Sequence, residues 1–95
     1  MAFNSNSVAV YNYVKENEDK HITAKQIAKA LGLGDRQVNG IITAAFQRHK
    51  NENKETVPLM VRVEGEIEKE DGTHESVKFI ELTEEGRNIE VSVKE

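Results

Sequence analysis

The sequence predicts an α+β fold in which three helices are followed by a β-hairpin. Up to about residue 45, apolar residues recur every three or four positions, which is the spacing of helix faces. From Val57 to Ile67 they alternate with polar residues instead, as in a half-buried strand. An Asp71-Gly72 pair then predicts a hairpin turn, and residues 77–82 supply the returning strand.

Each of the three helices has a recognisable boundary. The apolar stretch Val8–Val14 defines the first helix, and the polar run after it ends that helix. Thr23 and Gln26 have the spacing of a capping box at the start of the second helix, and Gly32 supplies a left-handed residue at its end. The third helix is predicted from about Asp35 to Arg48. Its apolar face contains Val38, Ile41, Ile42 and Ala45.

The first strand of the hairpin has two different faces. The apolar face, which a half-buried strand packs on the core, contains Val57, Leu59, Val61, Val63 and Ile67. The opposite face contains Met60, Arg62, Glu64, Glu66 and Glu68. We also predict a one- or two-residue strand at His21-Ile22, a short helical turn capped by Thr83, and a tail from Ile89 that either adds an edge strand or frays.

Four of the five aromatic residues are expected to pack in the core or at its edge. They are Tyr11, Tyr13, Phe46 and Phe79. Phe46 is the one with an open alternative, because an exposed phenylalanine at that position would indicate a protein interface.

Composition limits the class of protein. Ninety-five residues, of which 37% are hydrophobic and 32% charged, predict one soluble domain spanning residues 1–95. The chain contains no apolar run of about 18 residues, so we expect no membrane contact. It has no cysteine, which excludes disulfides and thiolate metal sites, and its start lacks the basic and apolar stretches of a signal peptide. We therefore expect a cytoplasmic protein.

Charge is divided unevenly along the chain. The net charge is −4, but residues 1–50 carry seven Lys/Arg against four Asp/Glu, a balance of +3. Residues 51–95 carry six against thirteen, a balance of −7. Proteins that bind nucleic acid present a basic surface to the phosphates. An anionic partner is therefore expected to bind the first half of the chain.

The segment around the second and third helices combines the features that two steeply crossing helices need. Ala28 is small enough for a close crossing, and Gly32, four residues later, permits the turn. Val38 and Ile41 are spaced to lock the third helix onto the second. This Ala-x3-Gly-x5-Val spacing resembles the helix-turn-helix motif, which here spans about residues 23–50.

The whole chain also resembles a winged helix. The hairpin over about residues 57–82 corresponds to the wing, and Leu82-Thr83-Glu84-Glu85-Gly86-Arg87 closes its second strand. Within that superfamily the chain is similar to the DNA-binding domains of small bacterial and phage regulators of the MarR type, over roughly residues 8–88. The resemblance implies a three-helix bundle with a β-hairpin wing and a function in transcription regulation.

The resemblance also implies a set of DNA contacts. The third helix would enter the major groove of double-stranded DNA and its N-terminal residues would touch base edges. Arginine can bind guanine through two acceptors, and glutamine or asparagine can pair with adenine. The base-contacting positions are then Arg36, Gln37, Asn39, Gly40 and Thr43. Phosphate contacts are expected from Lys25 and Lys29 on the second helix and from Arg48 and Lys50 at the far end of the third.

The hairpin departs from this pattern because it is acidic. Residues 64–75 contain six acidic side chains and one lysine, a net charge of −5. Phosphate would repel such a wing within the screening length of about 8–10 Å, so no DNA contact is assigned to it. Two alternatives stay open: a winged-helix protein-protein interaction module that uses the acidic wing, and an architectural protein that binds nucleic acid without sequence preference.

Catalytic and metal chemistry find little support in the sequence. His21, His49 and His74 are far apart and lack the spacing of metal ligands. The acidic pairs lie at a predicted helix start and on an exposed strand face, where solvated charge is expected. We therefore predict neither an enzyme nor a cofactor or metal site, and the sequence leaves the oligomeric state open.

Overall fold

The chain folds as an α+β structure whose three longer helices precede its main sheet. The computed structural model describes residues 2–93. In chain order the elements are β1 (Ala2–Phe3), α1 (Ser5–Glu16), α2 (Ala24–Leu31), α3 (Asp35–Ile41), a π-helical turn (Ile42–Gln47), β2 (Met60–Glu68), β3 (His74–Leu82), α4 (Glu84–Asn88) and β4 (Ser92–Val93).

The predicted boundaries of α2 are confirmed. The Gln26 amide donates to the Thr23 hydroxyl over 3.2 Å, and the Thr23 amide donates to the Gln26 side-chain oxygen over 2.9 Å, which completes the capping box. Gly32 ends the helix at φ 70°, in the left-handed region. α1 is longer than the apolar stretch predicts because the Asn4 side chain accepts from the Ser7 amide and starts the helix earlier.

The third predicted helix is present but changes geometry at its centre. α3 continues directly into the π turn, where the Arg48 amide donates to the Thr43 carbonyl, five residues earlier, over 3.0 Å. Helical backbone therefore covers the predicted range, although its second half is wider than an α-helix.

The π turn directs Phe46 into the core. A wider turn rotates less per residue, so Phe46 follows Val38 and Ile42 inward while Ala45 is only half-buried. Phe46 is fully buried, so the alternative of an exposed Phe46 at a protein interface is wrong.

One continuous apolar core joins the helices to the base of the hairpin. It receives residues from α1, α2, α3, the π turn and both hairpin strands. Among residues 2–93, its buried members are Val10, Tyr11, Val14, Ile22, Ala24, Ile27, Ala28, Val38, Ile42, Phe46, Leu59, Met60, Ile80 and Leu82. Tyr13 packs against this core and is half-buried, as is Phe79 on the hairpin.

The main sheet is the antiparallel hairpin of β2 and β3, extended by one bridge on the β3 side. The Ile80 amide donates to the Ile22 carbonyl over 2.8 Å, and Thr23 forms a single antiparallel bridge with Phe79. The short strand predicted at His21-Ile22 is reduced to a single bridging residue, Thr23, one position later. β3 lies between it and β2.

The end of the chain folds back onto its beginning. Thr83 caps α4, as predicted, by accepting from the Gly86 amide over 3.0 Å. β4 then pairs in parallel with β1, so the tail forms an edge strand at Ser92–Val93. The rest of the predicted tail, Lys94 and Glu95, lies outside the described residues.

The prediction of which face of β2 is buried is wrong. Met60 is fully buried, whereas Val63 and Ile67 are 41% and 38% exposed. Met60 pairs with Leu82, which is also buried, and directly opposed residues of an antiparallel pair share a face. The inward side of the chain changes between Leu59 and Met60, which are both buried, and simple alternation does not anticipate that change.

The hairpin turn lies where the Asp-Gly pair predicts it. The Gly72 amide donates to the Lys69 carbonyl over 2.9 Å, and Gly72 has φ 85°. The Asp71 carboxylate accepts from the hydroxyl and from the amide of Thr73, over 2.6 and 3.0 Å. These bonds favour the ionised carboxylate and therefore lower the pKa of Asp71. They also stabilise the turn.

Helix α4 lies directly against the backbone that enters β2. Gly86 is buried, and a Cβ atom at that position would clash with the main-chain carbonyl of Leu59. The Tyr11 hydroxyl donates a buried hydrogen bond of 2.6 Å to the Gly86 carbonyl. α1, α4 and the start of the hairpin therefore meet at a position that only glycine fits.

We expect Gly86→Ala to lower the free energy of unfolding by about 3 kcal/mol, because the atoms in its way are backbone and overpacking is costly. Chemical denaturation gives the value. Gly34→Ala is the control, since the space around Gly34 is open and the only expected cost is that of a poorer N-cap residue, about 1 kcal/mol or less. Equal losses in the two variants would contradict the close approach.

Candidate nucleic-acid interface

A three-residue turn, Gly32–Gly34, sets the direction of α3. The Leu33 amide donates to the Ala28 carbonyl over 2.9 Å, and the Val38 amide donates to the Gly34 carbonyl over 3.0 Å. Val38 is fully buried and anchors α3 on the core. The opposite side of α3 consequently faces solvent.

The exposed side of α3 carries most of the base-contacting residues that the sequence predicts. Arg36, Gln37, Asn39 and Gly40 are exposed, and Thr43 is half-buried in the π turn. Within residues 2–93, the side chains of Arg36 and Gln37 have no hydrogen-bond or ion-pair partner. Their donors and acceptors are thus available to a ligand.

An arginine from the hairpin lies across this face of α3. One terminal nitrogen of Arg62 donates to the Asn39 side-chain oxygen over 2.9 Å. The other donates to the Thr43 hydroxyl over 3.1 Å and to the Asn39 carbonyl over 3.3 Å. Guanidinium has five N–H donors, so two of them have no acceptor among the described residues.

This contact engages two of the predicted base-contacting residues within the protein. The Asn39 amide nitrogen donates to the Asp35 carbonyl over 3.0 Å while its oxygen accepts from Arg62, so both ends of the side chain are engaged within the protein. The Thr43 hydroxyl is also engaged by Arg62. In this arrangement Asn39 and Thr43 hold Arg62 in place, and Asn39 keeps only one amide N–H, and Thr43 its O–H, as donors without a partner among the described residues.

Sequence reasoning missed Arg62. In the sequence Arg62 belongs to the polar face of β2, where it is the only cation beside three glutamates. That isolated positive charge was the available signal, since a lone arginine in an acidic row suggests a specific contact. Its target could not be predicted, because nothing in the sequence fixes the hairpin relative to α3.

The predicted phosphate-contacting residues lie at two places around α3. Lys25 and Lys29 are exposed and four residues apart on α2, so they share one helix face. Arg48 and Lys50 are exposed beyond the π turn, at the far end of the helical segment from Arg36. Within residues 2–93, no carboxylate lies within ion-pair distance of these cations.

The acidic residues of β2 continue outward from Arg62 on the same strand face. Side chains two residues apart on a strand share a face, and each such step is about 7 Å. Glu64 therefore lies within the screening length of about 8–10 Å from Arg62, whereas Glu66 and Glu68 lie beyond it. Lys78 is directly opposite Glu64 on β3 and offsets part of its charge.

Neither metal ligands nor a membrane span add to this picture. Within residues 2–93, no three His, Asp or Glu side chains are grouped closely enough to hold a metal ion. None of the helices in that range has the length and apolar character needed to cross a bilayer.

Comparisons with protein-family models, with curated proteins and with solved structures found no match to the chain.

We expect the contact between Arg62 and Asn39 to be energetically coupled. Arg62→Ala and Asn39→Ala should each lower the free energy of unfolding by about 1 kcal/mol, the usual net value of such hydrogen bonds. The double variant should lose clearly less than the sum of the two, because both single changes remove the same contact. Denaturant melts of the four proteins supply the cycle, and strictly additive losses would show that the two side chains do not interact in solution.

Proposed function

We propose that the protein binds double-stranded DNA through the exposed face of α3, as a small winged-helix transcriptional regulator. The observation that carries the proposal is the composition of that face. Arg36 and Gln37 have no partner among residues 2–93, Gly40 lies beside them, and Arg62 is held over the same face by hydrogen bonds. Cationic and amide groups in this arrangement match the acceptors and donors of the major groove.

The element order supports a winged helix. α1 is followed by the single bridge at Thr23, by α2 and α3 around a glycine turn, and by the hairpin of β2 and β3. Such domains insert the second helix of the helix-turn-helix into the major groove, while the first crosses the backbone. α3 is therefore the element proposed to enter the groove.

Gly40 supports close approach by a ligand. Glycine inside a helix costs about 1 kcal/mol relative to alanine. Apart from its two chain neighbours and the backbone of its own helix, no atom of the described chain lies within 4 Å of the position that a Cβ would occupy, and the residue does not have positive φ. Packing within the protein does not require glycine at this site, whereas an approaching base edge or phosphate would.

We propose different roles for these residues, according to whether their side chains already have a hydrogen-bond partner in the described chain. Arg36 and Gln37 are proposed to contact bases, since their side chains are free. Arg62 is a further proposed contact, because two of its donors have no acceptor in the described chain, and Asn39 and Thr43 orient it. The phosphate contacts are proposed for Lys25, Lys29, Arg48 and Lys50.

Arg36→Ala is expected to separate specific from general DNA binding. Loss of a bidentate base contact should weaken binding to a selected site by about 1–3 kcal/mol and leave scrambled duplex almost unaffected. Lys29→Ala should weaken both duplexes alike and lower the salt slope by about one. Fluorescence anisotropy from about 50 to 200 mM salt measures both effects. The regulator hypothesis fails if selection from a random library enriches no sequence and Arg36→Ala binds like the parent.

Gly40→Ala should change stability and DNA binding in opposite directions. The free energy of unfolding should rise by about 0.5–1 kcal/mol, because alanine is the better helix former and the site is open. Affinity for the selected duplex should fall, because the new methyl group projects from the proposed DNA-contacting face. A variant that is more stable and binds as tightly as the parent would show that α3 does not approach the groove at Gly40.

A further inference from the structure

The side of the hairpin that faces away from α3 carries a row of apolar residues that is partly exposed. We call it the outer hairpin face; its central residues are Val63, Gly65, Ile67, Val77 and Phe79, and Glu75 and Glu81 lie at its two ends. The Phe79 ring also packs against the ring of His21, with 5.0 Å between the centroids. Val63 and Ile67 are large apolar residues with 41% and 38% of their surface exposed. The Phe79 ring lies over Gly65 so closely that a Cβ there would clash with it. The ring therefore closes the gap that glycine leaves in the apolar surface.

One edge of this surface offers unpaired backbone. β2 pairs with β3 along all nine of its residues, in a register without interruption, and within residues 2–93 no strand pairs with its other edge. β2 contains no proline and no bulge, which are common means of protecting an edge. Such an edge can accept an added strand through main-chain hydrogen bonds.

The two faces of β2 at this edge differ in chemistry. The outer hairpin face contributes Val63 and Ile67, and the opposite face contributes Glu64, Glu66 and Glu68, all exposed. Ion pairs offset little of this charge: Glu66 lies 3.8 Å from His74, and both groups are largely exposed. A strand added at this edge would lie beside valine and isoleucine on one side and beside carboxylates on the other.

We propose that β2 is a docking edge for a partner protein that adds one strand, apolar on one face and basic on the other. Its apolar residues would cover the outer hairpin face and its Lys or Arg residues would lie beside Glu64, Glu66 and Glu68. A second copy of this chain does not fit, because two-fold antiparallel pairing of two β2 edges brings carboxylates opposite carboxylates. The same three glutamates thus oppose self-association and favour a basic strand. This interaction does not depend on DNA binding by α3.

The probe is a synthetic peptide of alternating lysine and valine, about as long as β2. A control peptide has the same composition in an order that breaks the alternation, so it matches the probe in charge. Titration followed by amide NMR should show saturable binding of the probe, with slowed hydrogen exchange at alternate amides of β2. The control should bind at least about tenfold more weakly, because it cannot segregate its apolar and charged side chains.

Backbone methylation tests whether the probe binds as a strand. A strand pairs with one neighbour through alternate amides, so methylating one alternate set should abolish binding and methylating the other should preserve it. Binding through side chains alone would be reduced equally by either set, and that result would overturn the proposal.

Protein variants locate the binding surface. The combined changes Val63→Thr and Ile67→Thr keep the β-branched shape and should weaken binding about tenfold through lost apolar contact. Val93→Thr is the matched control, because Val93 is 51% exposed but lies in β4, away from the hairpin. Glu66→Gln should weaken binding, whereas Glu84→Gln on α4 should not. An equal loss from Val93→Thr, or a dimer in sedimentation experiments that pairs through β2, would refute the proposed partner.

Discussion

The backbone of Leu59 is the junction on which the position of the hairpin depends. Its amide donates to the Phe46 carbonyl at the end of the π turn over 2.8 Å, and its carbonyl accepts from the Thr83 amide over 3.0 Å. Gly86 packs against the same carbonyl, and the Leu59 side chain is buried in the core. The end of the π turn and the start of α4 are thereby both fixed to the residue that precedes β2. Because buried backbone groups must be paired, these bonds fix the direction in which the chain leaves Leu59 and enters β2.

The placement of the strand has direct consequences for the surface beside α3. Because the start of β2 is fixed in position, the Arg62 side chain reaches Asn39 and Thr43. Arg62 belongs to the acidic second half of the sequence, yet it adds its positive charge to the surface of the basic first half. The carboxylates that follow Arg62 on the same strand face lie progressively farther from α3. The molecule thus separates a cationic helix face from an acidic strand edge, although the net charge of −4 hides that separation.

The candidate site was only partly predictable from the sequence. The exposed positions of Arg36, Gln37 and Gly40 follow from the apolar spacing of α3, since residues opposite a buried Val38 must face solvent. The engagement of Asn39 does not follow, because it depends on a hydrogen bond to a residue 23 positions away in sequence. The local sequence pattern indicates which side of a helix is exposed. It does not indicate which side chain from a distant part of the sequence will lie on that side.

The sequence by itself determined the local boundaries of this protein. The capping box at Thr23, the left-handed Gly32 and the turn at Asp71-Gly72 each depend on atoms within a few residues, so they were predictable. Tertiary structure alone decided the π turn at Phe46 and the buried face of β2. Both follow from packing against segments remote in sequence, where filling one shared core outweighs local periodicity.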